Sequence, residues 1–346
     1  MIGIWKNSAG VEYWAAFVSS GYNNIPGTDG VNSGNGKGYL YVVDIATGKV
    51  LQKTSTGSGD TTTPSGLARI TAISENPHAD AHVSYVYGGD NLGQMWRFDF
   101  TAGGTPAVIK MGDAGVKQPV TTRPDVTTCQ VNGTAADGSE TKSVYRVVAF
   151  GTGRLLDLGD IANTDVQSAY VLKDTGVAIS AAQWRGASTM AKQTLAKIEN
   201  TAAYTINGVK VDLPTQQGWY LDFNLNPGER VNLDPQIIYG GLNIVTNTPS
   251  NSSSCEVGGT SNVYQLNVCT GDPLTSMNVG SGNAPVMVAG QALSNSAAAV
   301  GSILITLPKG NARQITTNAN GSMTDSAVQA AISAPAVRAG WRRVRE

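Results

Sequence analysis

The feature that most constrains this chain is a two-strand unit that recurs four times. Each copy has an apolar strand, a glycine-containing turn, and a second strand with an aromatic residue that closes on Asp or a related polar residue. The copies span 15–21 with 39–44, 85–90 with 95–99, 147–153 with 170–174, and 243–248 with 263–267. Tyr41, Trp96, Tyr170 and Tyr264 mark equivalent points 55, 74 and 94 residues apart, so each copy reads as about one blade, with loops lengthening toward the C-terminus. Radial stacking of small antiparallel sheets buries both faces of every strand and protects the edges. The expected fold is therefore all-β: one β-propeller domain over 1–346, its ring incomplete or modified, with long loop insertions and one or two short helices. An array of β-sandwiches is the alternative. The helical expectations fall on 180–198, where Ala, Gln, Lys and Leu accumulate, and on 325–332, with a cap at Thr324 or Asp325.

Composition supports a sheet scaffold and narrows the partners. Of 346 residues 41 are glycine, while 24 basic and 25 acidic side chains leave a net charge of −1. No field of one sign is available to attract nucleic acid or anionic lipid. The most apolar run, 297–307, falls well short of the roughly 18 residues a spanning helix needs, so no direct membrane insertion is expected. The start, Met1-Ile-Gly-Ile-Trp-Lys6, has no signal-peptide character and reads like the middle of a strand, as if the chain began inside a larger protein.

Three cysteines are present. Cys255 and Cys269 flank a strand pattern at a spacing compatible with a local disulfide; the other reading is two buried thiols, and Cys129 is free on either. The two histidines, His78 and His82, both lie in 75–84, where Asn76, His78, Asp80, His82 and Ser84 alternate as a calcium loop's ligands do. Asp80 is the one carboxylate in that register, Ala81 stands where such loops carry glycine, and imidazoles favour zinc, copper or nickel. No Gly-x-Ser-x-Gly elbow is present. Asp157, Asp160, Asp165 and Asp174 read as turn caps on a solvated loop. No catalytic residues and no organic cofactor are assigned.

In order along the chain stand Tyr39-Leu-Tyr-Val-Val-Asp-Ile-Ala-Thr-Gly48, then Tyr85-Val-Tyr-Gly-Gly-Asp-Asn-Leu-Gly-Gln-Met-Trp-Arg-Phe-Asp99. Phe150-Gly-Thr-Gly-Arg154 follows, leading through Asp160 to Gln167-Ser-Ala-Tyr170, and then Gly218-Trp-Tyr-Leu-Asp222 with Gly228-Glu-Arg-Val231. This series resembles the C-terminal β-propeller of the PilC/PilY family of type IV pilus tip-associated adhesins and assembly factors. The resemblance implies a non-enzymatic role in pilus assembly and extension, surface adhesion and twitching motility. It implies pilins or minor pilins as partners, with host or abiotic surface receptors, and a location outside the cell at the pilus tip or outer-membrane surface. Some members carry a calcium loop just before the Tyr-x-Tyr-x-Gly-Asp motif. Asn76, Asp80 and Ser84 fall on that segment, with His78 and His82 as alternative ligands. Two other functions are weighed beside it. Asp44-Ile-Ala-Thr-Gly48 resembles a turn of propellers that bind pyrroloquinoline quinone, and a carbohydrate-binding propeller would place Trp184 or Trp219 against sugars.

Overall fold

A computed structural model describes residues 1–22, 34–76, 79–135, 137–250, 258–279, 284–293, 297–307 and 311–331. Its regular structure is almost entirely strand. The first blade is a four-stranded antiparallel meander of β1 (Ile2–Lys6), β2 (Glu12–Ser19), β3 (Tyr39–Asp44) and β4 (Val50–Ser55). The second repeats it with β5 (Ile70–Ile73), β6 (Tyr85–Gly89), β7 (Gln94–Asp99) and β8 (Ala107–Asp113). The third is built from β9 (Asp125–Thr134), β10 (Glu140–Gly151) and β11 (Ser168–Lys173). β12 (Ala191–Lys197) and β13 (Ala203–Gly208) form an inserted hairpin, and β14 (Gly218–Asp222) returns to complete the third blade beside β11.

The fourth blade comprises β15 (Gln236–Ile238), β16 (Gly241–Ser250) and β17 (Gly258–Asn267). A short hairpin, β18 (Thr275–Met277) and β19 (Val286–Val288), leads into β20 (Gly290–Ala292), which pairs with β17. Because β12 pairs with β14 and β13 with β20, the inserted hairpin fuses the third and fourth blades into one ten-stranded sheet. A last sheet, β21 (Ala299–Thr306), β22 (Ala312–Asn318) and β23 (Met323–Val328), makes a three-stranded fifth blade.

The core lies between the sheets as successive apolar layers, which is what strands buried on both faces demand. Trp5, Phe17 and Leu40 of the first blade meet Val86, Trp96 and Phe98 of the second. Tyr87 and Met95 meet Phe150, Tyr170 and Leu172. Cys129, Val147 and Trp219 meet Leu242, Ile244 and Tyr264, and Val245 and Val263 meet Ala299.

The segment that leads into each blade is stitched by main-chain hydrogen bonds to neighbouring second strands. Leu67 exchanges two bonds with Gly21 while Ala68 N–H donates to Gly89; Val120 N–H donates to the Asp90 carbonyl; Val231 N–H donates to the Thr152 carbonyl while Arg230 exchanges two bonds with Asn247. Leu67, Val120 and Val231 are fully buried. This close approach is why glycine ends β6 and β10. A Cβ on Gly89 would lie 2.2 Å from Val120, and one on Gly151 2.3 Å from Val231.

Both helical expectations are corrected. Residues 191–197 form strand β12, with Ala191, Gln193 and Leu195 buried and Lys192 and Thr194 exposed, so a period of two overrode helix propensity. Residues 180–190 form successive turns, with Arg185 in the left-handed region at φ 56°. Asp325 lies within β23, ion-paired across the ladder with Arg313, rather than capping a helix; residues 332–346 lie outside the described residues. Among the described residues the helical element is one 3-10 turn, Leu158–Ala162, capped by Asp157.

Candidate functional site

The loops of the motifs converge. Asn91, Arg154, Asp160, Asn163, Gln167 and Arg230 line one polar pocket of about 110 Å³, together with Val116, Lys117 and Pro119 of the segment leading to β9. Arg230 is its hub and is 3% exposed. Its Nε donates to the Gly228 carbonyl (2.9 Å), Nη1 to the Arg154 and Asp160 carbonyls (2.9 and 2.6 Å), and Nη2 to the Asn163 carbonyl (2.6 Å). Asp160 accepts from Arg154 Nε (2.8 Å) and from the Leu156 and Asp157 N–H groups (2.8 and 3.2 Å). Burial alone would raise its carboxyl, but these hydrogen bonds and the Arg154 charge outweigh burial and hold it below the usual carboxylate range.

Two further carboxylates are locked in the same way. Asp90, fully buried, accepts from the Leu92 and Gln94 N–H groups (3.0 and 2.9 Å) and from Trp96 Nε1 (2.8 Å), and burial pushes its pKa up to about 7. Glu229, 1% exposed, accepts from Thr246 Oγ1, Asn262 Nδ2 and Tyr264 OH on one oxygen and from Asn226 Nδ2 on the other. Each of these charges is spent on main chain or neighbouring side chains. The arrangement therefore fixes loop geometry between blades.

Sequence reasoning missed two of these polar centres. Arg69, Arg123 and Asp234 precede the first strands of three consecutive blades and meet there: Arg69 Nη1 is 2.8 Å from Asp234 Oδ2, and the Arg123 N–H donates to Asp234 Oδ1 at 2.9 Å. Asp174, read as a loop solvator, is instead buried beside Arg97 and Arg146 and accepts from Tyr87 OH at 2.6 Å. The available signal was Arg97, a charge in the middle of the apolar strand Met95-Trp-Arg-Phe98. The cap role assigned to Asp157 does hold.

The loop proposed as a calcium site connects β5 to β6 of the second blade and lies against the first blade. Its backbone pairs with β1, Ile4 N–H donating to the Ala81 carbonyl and Val83 N–H to the Ile4 carbonyl, both at 2.9 Å. His82 lies with Nδ1 against Asp80 and Nε2 3.0 Å from Glu12 Oε1, contacts that raise its pKa, the hydrogen bond to Asp80 foremost. Ser84 Oγ accepts from the Glu75 N–H, and the Asn76 carbonyl accepts from the Ala79 and Asp80 N–H groups. His78 lies outside the described residues. These oxygens fit a calcium ion only in part: Asp80 Oδ1 and Ser84 Oγ already have partners. Among the described residues no group of three or more His, Cys, Asp or Glu is gathered to hold a metal.

Two other expectations change. Cys269 is bonded to Cys129 across 140 residues of sequence, not to Cys255, which lies outside the described residues. Cys129 is on β9 and Cys269 follows β17, so the bridge ties the third blade to the fourth inside their shared core; short spacing favoured the wrong partner because blade stacking, not chain proximity, brought the sulfurs together. Trp219 is fully buried with Nε1 donating to the Val268 carbonyl, and Trp184 packs on Tyr170 at 5.0 Å between centroids, so Trp219 cannot serve as a sugar platform. Asp44 and Thr47 bond each other in an exposed turn that also binds Asp44 to the Ala46 N–H.

Layered four-stranded sheets, interblade stitches and polar locks at the loops define a β-propeller module. The chain belongs to the PilY1 beta-propeller domain family, whose model matches residues 4–207. It is 25% identical over 306 residues to the type IV pilus biogenesis factor PilY1 of Pseudomonas aeruginosa, an alignment covering 75% of this chain and 24% of that protein. Two PilY1 homologs of Xylella fastidiosa are 24% and 26% identical over 288 and 273 residues, covering 75% and 74% of this chain and 18% and 20% of their own lengths. The chain thus spans about a quarter of the length of the curated relatives it matches. Among the described residues no helix is long and apolar enough to cross a membrane.

Proposed function

We propose that this chain is a non-catalytic propeller module of a type IV pilus biogenesis factor, working at the bacterial surface. It supports pilus assembly and extension, adhesion and twitching motility, and contacts pilins or minor pilins and host or abiotic receptors. The observation that carries this reading is the family match over residues 4–207 together with relatives named as pilus biogenesis factors. The pocket agrees with it, since Arg230, Asp90, Asp160 and Glu229 are each committed to holding loops in place. The test is genetic. A piliated bacterium deleted for its own PilY1-type factor is complemented with the full-length parent of this chain, wild type or Arg230→Ala. Surface pili restored by the wild type and lost in the variant support the reading; wild type that restores none overturns it.

A calcium ion held by Asn76, Asp80 and Ser84, with His78 and His82 as alternative ligands, is part of this proposal. Asp80 supplies its charge, and binding would draw Asp80 away from His82. Calorimetric titration of calcium, then zinc, into chelator-treated protein tests it: saturable binding abolished by Asp80→Ala supports the site, and heat identical in the variant removes it.

A further inference from the structure

Arg230 holds loops with its hydrogen bonds, but its charge is not neutralised. It is 3% exposed, and among the described residues its guanidinium meets main-chain carbonyls alone, those of Gly228, Arg154, Asp160 and Asn163. The carboxylates of Asp157 and Asp160 pair with Arg154 instead. These contacts use four of the guanidinium's five N–H groups and leave one on Nη2. Burial, foremost, draws its pKa below the ordinary guanidinium value, and the Asp160 charge offsets only part of that. Buried charges are as a rule paired, so an excess of positive charge is stored where Arg230 lines the pocket.

The other lining residues add to that excess. Lys117, Arg154 and Arg230 are cationic, and Asp160 is the one acidic lining residue. Asp160 is already held by Arg154 Nε and by the Leu156 and Asp157 N–H groups. Lys117, its side chain 78% exposed, makes a looser contact with Asp165 at 3.4 Å and is free to swing over the pocket. The sequence builds this space. A Cβ on Gly153, in Phe150-Gly-Thr-Gly-Arg154, would lie 2.4 Å from Arg230 Cβ, so glycine lets the two loops approach closely enough to share one pocket. The whole chain carries a charge of −1, so the attraction is local to this pocket and does not extend to polyanions in general.

We propose that this pocket binds a small oxyanion group, the carboxylate or phosphate end of a larger polar molecule, with Lys117 and Arg154 at its mouth and Arg230 as the buried charge. The size agrees. A cavity of roughly 150 Å³ takes benzene, so a pocket of about 110 Å³ takes a headgroup and little more. The rest of the molecule lies in an adjoining cleft of about 510 Å³, which shares Lys117 and is lined mostly by polar side chains such as Gln118, Arg185, Asp222 and Asn224. This inference does not depend on the pilus role.

The test is calorimetric titration of the whole chain, at low and matched ionic strength, with acetate, glucuronate, inorganic phosphate and glucose 6-phosphate, and with glucose as the uncharged control. At least one oxyanion is expected to bind saturably and glucose not at all. Arg230 is left in place because the loops depend on it. Lys117→Gln, at an exposed side chain, and Arg154→Gln are each expected to weaken binding roughly tenfold, the order of one charged hydrogen bond. Lys117→Arg is expected to keep binding, and Lys49→Gln, at an exposed lysine of the first blade, to leave it unchanged. Glucuronate above acetate, or the phosphate ester above inorganic phosphate, supports the larger ligand and names its acid group. No saturable binding of any oxyanion by the wild type, equal binding of glucose, free anions bound as tightly as their sugar forms, or binding indifferent to both Lys117→Gln and Arg154→Gln overturns the proposal.

Discussion

The junction between the first and second blades and the junction between the third and fourth use the same apolar layering and the same main-chain stitches, yet they are secured differently. At the first junction the ion pair is exposed, His82 from the 74–84 loop reaching Glu12 on β2, and the buried polar contact beside it is a single hydrogen bond from Trp5 Nε1 to the Gly104 carbonyl. At the second it is internal, comprising the Cys129–Cys269 bond, the Arg230 guanidinium and the inserted hairpin β12–β13, which merges the two sheets. Layered burial is enough to stack blades. Covalent and buried polar locks concentrate where a long insertion makes neighbouring sheets one body.

The comparison is broken most severely at the bridge. Cys129→Ser opens a loop of 140 residues and is expected to cost about 5 kcal/mol by loop-closure entropy, read from urea unfolding. A loss under about 1 kcal/mol would mean the merged sheet alone secures the junction. Next comes a stitch: Gly89→Ala drives a methyl to 2.2 Å from Val120 and is expected to cost about 2–3 kcal/mol, whereas the same change at half-buried Gly301, with open space around its Cβ position, should cost far less.

Asp90 offers a pH-dependent effect. Its folded pKa of about 7 lies above the unfolded value of 3.8, so its contribution to stability is full below pH 3.8 and declines as pH rises to about 7. Asp90→Asn should flatten that decline in urea midpoints between about pH 4 and 7, the range the two pKa values define, whatever its effect on baseline stability. The smallest effect belongs to the first junction. His82 is raised by Asp80 and Glu12, so its contribution is complete below its unfolded pKa and lost as pH climbs through the higher folded one. Glu12→Gln should shrink the fall in melting temperature on passing from acidic to alkaline buffer; an unchanged profile would show that the exposed pair contributes nothing.

The blade repeat was legible because two strands and a glycine turn carry their pattern locally, as at Tyr85-Val-Tyr-Gly-Gly-Asp90. The insertions were not. Ala191 to Lys197 is composed of good helix formers, and only pairing with β14 and β13 makes it a strand. Polar locks were partly legible: Asp157 and Asp160 cap within a few residues of chain, whereas Arg230 reaches Asn163 across 67 residues, and no local pattern announces such a pair. Cys129 was hidden for the same reason.

The long-range disulfide also governs how the chain answers a pull. A load applied at the two ends passes directly from Cys129 to Cys269, and the 140 residues of separation between them carry none of it. Roughly 480 Å of extended chain is thereby withheld from stretching, at about 3.4 Å per residue. Under tension the first two blades can be drawn out strand by strand, while the third and most of the fourth are shielded until the sulfur–sulfur bond is cut.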